Sequence, residues 1–293
     1  MASILILITT SSQTTQAAVL TTATMVCFAA NSLLCRLALG PGLIDPASFT
    51  TVRVLAAVAI LALVVWQSYG HLPSFAYAKV RSVAALFVYL ICFSFAYVRL
   101  PAGTGALILF TAVQLTMFCV ALREGERFSA AGWIGLSIAS LGLVYLVLPG
   151  VSAPDPIGAV LIAMSGIAWG VFSLSARGVD HPIEANAINF LCCLPLAAAV
   201  NLWQLSDLHV TPIGLAYAIA SGAIASGLGY VMWYVTLRYL TAARAASVQL
   251  SVPAIAAIGG ALFLAEPVTL RLLLASPAML GGIALVLAQR SKR

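Results

Sequence analysis

The chain carries nearly the same pattern twice, and no other feature constrains its fold as much. The segment Leu100-Pro-Ala-Gly-Thr-Gly-Ala106 aligns without a gap, 140 positions on, with Leu240-Thr-Ala-Ala-Arg-Ala-Ala246. Leu100, Ala102, Ala106, Ala121, Leu122, Glu126 and Gly142 then match Leu240, Ala242, Ala246, Ala261, Leu262, Glu266 and Gly282. Each copy is a hydrophobic stretch, a Glu in a short turn and another hydrophobic stretch. At slightly different offsets Phe28, Asn31 and Arg36 fall over Trp169, Phe172 and Arg177. Two related hydrophobic halves, residues 1–149 and 150–293, imply a membrane transporter built as a repeat.

Composition fixes the solvent. With 62% hydrophobic residues, 8% charged and a mean hydropathy of +1.09, a 293-residue globule in water would have nowhere to hide its apolar surface. About 20 residues cross a bilayer, so ten spans with short connections fit the length. The apolar runs predict spans at Ala17–Cys35, Val54–Trp66, Val83–Val98, Ala102–Leu122 and Phe128–Leu148 in the first half. In the second they predict Ile157–Ala176, Ala185–Trp203, Pro212–Leu237, Ala245–Leu264 and Leu272–Ala288. The second span is expected to begin upstream of Arg53, near Pro46. The runs are too long and too uniformly apolar for barrel strands, so the fold class is an all-α integral membrane protein.

Basic residues set the orientation. With the N-terminus cytoplasmic, the inner side holds Lys79, Arg81, Arg123, Arg127, Arg177, Arg238, Arg244, Arg290, Lys292 and Arg293, against Arg36, Arg53, Arg99 and Arg271 outside. Ten against four favours both termini inside. Five spans per half is an odd number, so the second half enters the membrane inverted. The net charge of +6 is thereby explained by topology, and no nucleic-acid partner is expected. Residues 1–16 lack a basic start and an uninterrupted apolar core, so the tail is expected to stay on the protein. The six cysteines fall within or at the ends of apolar runs and the three histidines in loops, which predicts no metal, cofactor or disulfide framework.

No acidic or basic residue is expected in the middle of a span. A proton-coupled drug exporter with a buried Glu in its first span is disfavoured, because that stretch reads Cys27-Phe-Ala-Ala-Asn-Ser32. The interior offers aromatic and neutral polar groups instead. The first span carries Phe28, Asn31 and Ser32, and its counterpart Trp169, Phe172 and Ser173; the third carries Tyr89, Phe93 and Tyr97, and its counterpart Tyr230, Trp233 and Tyr234. Aromatics of a membrane protein commonly form interfacial belts or pack helices, but recurrence at mid-span in matched helices favours a pocket. Gln114 and Gln249 must face protein or a cavity. Pro253 deprives the Gln249 carbonyl of its helix partner, as a hinge or a substrate-facing break. Gly166 and Gly170, the Ala223-to-Gly229 stretch, Gly259-Gly260 and Gly281-Gly282 mark close helix contacts.

The Phe28-to-Arg36 segment, Arg53, the units ending at Glu126 and Glu266, and Pro253 followed by Leu262-Phe-Leu-Ala-Glu-Pro267 together resemble the EamA repeat of the drug/metabolite transporter superfamily. In overall pattern the chain is similar to the YddG-type exporters of aromatic and other amino acids. The resemblance implies two inverted five-helix repeats in a bacterial inner membrane around a central cavity. The first four and the sixth to ninth helices would form the pocket, with the fifth and tenth bracing it. Asn31, Tyr89, Phe93, Trp169, Phe172, Tyr230, Trp233 and Gln249 would then be its wall and Pro253 a hinge, although Val113 stands where symmetry expects a second proline.

The expected activity is export of amino acids by alternating access, facilitative and broadly selective, by a monomer. The alternative is proton-coupled efflux of lipophilic cations or another small metabolite. No enzyme is expected, because the chain has no HExxH, no GxSxG and no span histidine to activate a serine. Glu126 and Glu266 are expected to be interfacial caps.

Overall fold

The computed structural model describes residues 13–290 except 126, 151, 176–178, 238 and 241. Glu126, Arg177, Arg238, Lys292 and Arg293, with the side chains of Arg244 and Arg290, lie outside the described residues. Ten helices are long and apolar enough to cross a bilayer. They are α1 (Gln13–Leu39), α2 (Pro46–Tyr69), α3 (Val80–Tyr97), α4 (Ala102–Arg123), α5 (Ala130–Val147), α6 (Pro156–Ser175), α7 (Pro182–Trp203), α8 (Pro212–Thr236), α9 in two pieces (Ala242–Gln249 and Ser251–Phe263) and α10 (Leu270–Arg290). Apart from one isolated bridge, Ile44 to Val210, the described regular structure is helical. The chain is an all-α integral membrane protein.

Local chemistry explains where the helices start. Asp45 accepts from the Ser48 N–H at 2.8 Å, Asp155 from that of Gly158 at 2.7 Å and Thr211 from that of Gly214 at 3.1 Å. The next residue in each case is proline, whose missing N–H is not needed in a first turn. The Asp45–Pro46 pair therefore starts α2 well before Val54, and Arg53 lies inside the span. Trp66, Trp133 and Trp203, near span ends, are exposed, as expected of an interfacial belt, whereas Trp169 and Trp233 are buried. Leu141, Ile157, Val160, Leu262 and Phe263 are each more than half exposed, an exterior that suits lipid and not water.

Packing follows a correspondence between span n and span n+5. The pairs α2 with α7, α4 with α9 and α5 with α10 are each their own counterpart. Packing of α3 on α6 and α7 is matched by α8 on α1 and α2, and α4 on α6 by α9 on α1. Glycines permit the tightest of these contacts: a Cβ on Gly166 would meet the Leu109 carbonyl oxygen, and one on Gly282 would stand 2.5 Å from that of Gly135. The correspondence fails in one respect. The α1 backbone packs on α3 and α4, whereas among the described residues α6 does not approach α8 and α9 in the same way.

The two faces of the helix bundle differ accordingly. Contacts between connections close the face away from the termini. The Asp45 N–H donates to the His209 carbonyl at 2.8 Å, Arg99 lies 3.6 Å from Asp155, and Arg271 donates to the Leu148 carbonyl. Arg36, in the last turn of α1, reaches Glu266 between α9 and α10. On the terminal face Glu184, buried at the start of α7, accepts from the Ser74 N–H at 2.9 Å.

Candidate functional site

Inside the bundle, the mid-span aromatics of α1, α3, α6 and α8 form one connected cluster. Phe28 stands edge-on to Trp169, Tyr230 and Trp233, with centroids 6.3, 5.9 and 5.7 Å away. Trp169 bridges the cluster, 4.9 Å from Tyr89, 5.0 Å from Tyr230 and 5.6 Å from Phe172, and Phe93 lies 5.5 Å from Tyr89. Such pairs prefer offset or edge-on geometry because the ring face is negative and its edge positive.

Two cavities meet at this cluster. The larger, about 490 Å³, lies between α6, α8 and the first piece of α9, and is bordered by Trp169, Phe172, Tyr230, Trp233, Tyr234 and Gln249. Val179, Asp180, Pro182 and Leu237 surround its terminal-face end, so it lies where α6 stays apart from α8 and α9. The volume falls in the usual range of small-molecule sites, roughly 300–1,000 Å³. The smaller cavity, about 20 Å³, is bordered by Phe28, Asn31, Ser32, Tyr89, Phe93, Trp169 and Tyr230. It has room for one water-sized group. Trp169 and Tyr230 border both. All eight residues expected in the wall thus border one cavity or the other. Gln114 instead borders a separate small cavity between α4, α5 and α10.

Where charge is concerned, the expectation from sequence is corrected. Arg53 is fully buried in α2, not at its outer end. Its Nε donates to Ser226 Oγ at 3.1 Å and its Nη2 to the Tyr89 hydroxyl at 3.1 Å. The guanidinium carbon lies 4.9 Å from the Phe93 ring centre and 5.5 Å from that of Tyr89, close enough for cation–π attraction. Nη1 has no partner, and among the described residues no carboxylate is within 4.0 Å of it. Arg53 sits here because α2 packs on α8 at Gly222, where a Cβ would strike the Arg53 carbonyl. The sequence signal for it was the Asp45–Pro46 helix start.

The surrounding network joins the two halves of the chain. Asn31 Nδ2 donates to the Tyr89 hydroxyl at 3.3 Å, Ser221 Oγ donates to Asn31 Oδ1 at 2.7 Å, and the Tyr230 hydroxyl lies 3.5 Å from that of Tyr89. Ser221 and Ser226 belong to a π-helical stretch of α8, Ser221–Leu228. Such widened turns frequently accompany functional sites. No sequence pattern announced it. In α9 the helix breaks at Leu250, and Pro253 occupies the first turn of the second piece. The side-chain oxygen of Gln249, at the break, is buried without a partner.

The chain is similar to known proteins in ways that agree with this architecture. The sequence model of the EamA-like transporter family matches residues 156–288. An uncharacterized protein of Pseudomonas aeruginosa is 49% identical over 278 residues, 94% of this chain and 95% of that one. The threonine/homoserine exporter RhtA of Escherichia coli K12 is 31% identical over 206 residues, covering 66% of this chain and 65% of its own. A probable terminal-alkyne amino-acid exporter of Streptantibioticus cattleyicolor is 24% identical over 61% of each chain. A crystal structure with 19% identity superposes with a TM-score of 0.64 over 90% of this chain and 98% of its own, a likeness of fold alone. Residues 156–288, nearly all of the second half of the chain, belong to the EamA-like transporter family of the drug/metabolite transporter superfamily, whose members are transporters and not enzymes.

Proposed function

We propose that the protein exports amino acids, aromatic and other large neutral ones among them, across a bacterial inner membrane by facilitative alternating access. The observation that carries this reading is the aromatic-walled cavity of about 490 Å³, which lies toward the terminal face while ion pairs and hydrogen bonds close the opposite face. With both termini cytoplasmic, as the basic residues favour, this is a state loaded from the cytoplasm. Relatives named as amino-acid exporters support the substrate class. Residues 1–149 and 150–293 act as the two inverted repeats, and their paired contacts supply two arrangements, related by a pseudo-two-fold rotation, to alternate between. The functional unit is one chain.

Flux down the cytoplasmic gradient gives direction without a coupling ion. A lipophilic cation would suit the aromatic walls, but the buried charge of Arg53 behind them opposes a cation at midplane. The test is uptake of labelled amino acids into proteoliposomes with and without an imposed pH gradient. Saturable aromatic flux that ignores the gradient is the expected result. Flux that follows the gradient overturns the facilitative part, and movement of lipophilic cations alone overturns the substrate class.

A further inference from the structure

We infer that Arg53, through Tyr89 and Asn31, makes the small cavity a carboxylate subsite, so that the transported solute is held at midplane by a single carboxylate while its side chain lies in the larger aromatic cavity. The inference rests on the reading of the chain as an amino-acid exporter and adds the group by which that solute is recognised. Three observations carry it. First, a structural arginine buried in a membrane helix bundle ordinarily satisfies its donors and has a counter-charge, because an uncompensated buried charge is costly. Arg53 has neither: Nη1 is buried and unpartnered, and no described carboxylate is within ion-pair distance. An anionic ligand beside Tyr89 supplies the missing counter-charge.

Second, the groups in front of the charge are donors. Arg53 and Asn31 donate to the Tyr89 hydroxyl at 3.1 and 3.3 Å, and the Tyr230 hydroxyl lies 3.5 Å from it, so an acceptor placed between the two hydroxyls can take a proton from either. Ser32 and Tyr230 border the same cavity. Hydroxyl donors polarised by a cation in a medium of low dielectric suit a carboxylate and do not suit an ammonium group.

Third, the dimensions agree. The space admits one water-sized group, enough for one carboxylate oxygen, and shares Trp169 and Tyr230 with the larger cavity, so that oxygen can enter it while the rest of the molecule stays against the rings.

The experiment measures binding to the purified full chain by thermal shift and by competition against labelled phenylalanine. The competitors are phenylalanine, phenylalaninamide, phenethylamine and 3-phenylpropionate. The wild type is expected to bind phenylalanine at least about tenfold more tightly than the amide or the amine, the size of one lost charge-assisted hydrogen bond. Arg53→Gln is expected to erase that preference and Arg53→Lys to keep part of it. Equal binding of acid and amide by the wild type overturns the subsite, whatever the variants do, and leaves amino-acid export standing if flux persists. Phenylpropionate binding that depends on Arg53, with no amino-acid flux, overturns the export reading and keeps the subsite. Preference for the amine overturns both.

Discussion

Arg36 Nε lies 3.2 Å from Glu266 Oε1, and this pair joins the end of α1 to the α9–α10 connection on the closed face. The same Arg36 donates through Nη1 to the carbonyls of Tyr97 and Val98, and Glu266 Oε2 accepts from the Ala102 N–H at 2.8 Å. Three connections are thus gathered at one ion pair, and Glu266 is more than the interfacial cap expected from sequence. Loss of the Arg36 charge leaves the partly buried Glu266 carboxylate without its cation and is expected to favour opening of this face. Cysteines placed behind it should react faster with a membrane-impermeant thiol reagent in Arg36→Gln. Both side chains are mostly but not wholly buried, so a double-mutant cycle on that opening should give a coupling of about 1 kcal/mol. Zero coupling would mean that the backbone contacts alone hold the face shut.

Acid is expected to tighten this latch, contrary to the intuition that protonating a carboxylate releases its partner. Burial raises the Glu266 carboxyl above its ordinary value, and the Ala102 N–H and Arg36 offset only part of that. In a state with this face open, the carboxyl is solvated and titrates near about 4.3. The closed state therefore binds the proton more tightly, and its population rises as pH falls through the window between the two values. If opening of this face limits the cycle, flux should slow as the medium on that side is acidified toward about pH 5, and Glu266→Gln should lose the dependence. Faster flux in acid would show the Arg36 attraction, and not burial, to be the larger influence.

The spans and the aromatic wall were legible in the chain because both depend on periodic or repeated residues. Runs of apolar residues bounded by Pro, Gly and charge mark α1 to α10 to within a few positions, and the matched mid-span aromatics are the ones that meet in the cluster. The start of α2 near Pro46 was legible, and the Asp45–Pro46 cap explains it, but Arg53 was not legible as a buried residue, since a charge beside an apolar run reads most simply as that run's outer edge. The π-helical stretch Ser221–Leu228 had no signature at all, because it arises from the tertiary demand that Ser221 reach Asn31 and Ser226 reach Arg53. The unequal approach of α1 and α6 to their neighbours is a property of one state in a cycle, and a sequence encodes all of them.

The Tyr89 hydroxyl is the point where Arg53, Asn31 and Tyr230 converge. Tyr89→Phe keeps the ring and its contact with Trp169 but leaves Arg53 Nη2 and Asn31 Nδ2 without an acceptor. The cost should be about 1–3 kcal/mol in stability, the penalty for unsatisfied buried donors. A lowered unfolding midpoint in detergent together with at least tenfold slower flux, about 1.4 kcal/mol, is the expected pair of results. An unchanged midpoint would mean that water replaces the hydroxyl without loss.

Two adjacent glycines in α10 offer an internal control on packing. A Cβ at Gly282 would stand 2.5 Å from the Gly135 carbonyl oxygen and 2.7 Å from the Ala139 nitrogen, while one at Gly281 meets nothing within 4 Å. Backbone cannot yield as a side chain tip can. Gly282→Ala should therefore cost about 1–3 kcal/mol through overpacking of α5 against α10, and Gly281→Ala should cost nothing. Unfolding midpoints of the two variants in the same detergent make the comparison. Equal midpoints would mean that α5 and α10 separate without loss and do not brace the helix bundle.

Pro253 gives the sharpest test of movement in the ninth span. Without an N–H it cannot bond the Gln249 carbonyl, and the helix breaks at Leu250, beside a Gln249 side chain that borders the larger cavity. Pro253→Ala restores the missing donor and allows Ala242–Phe263 to run as one helix. Removing a helix-interior proline is worth up to about 3 kcal/mol of local stability, so the variant should melt higher. If the break is a hinge, the same change should slow exchange between the two facing states and lower the maximal flux while substrate affinity stays within about twofold, since no cavity wall residue is altered. Fast flux with weakened affinity would instead identify the break as a substrate contact, with the freed Gln249 carbonyl as the group that binds.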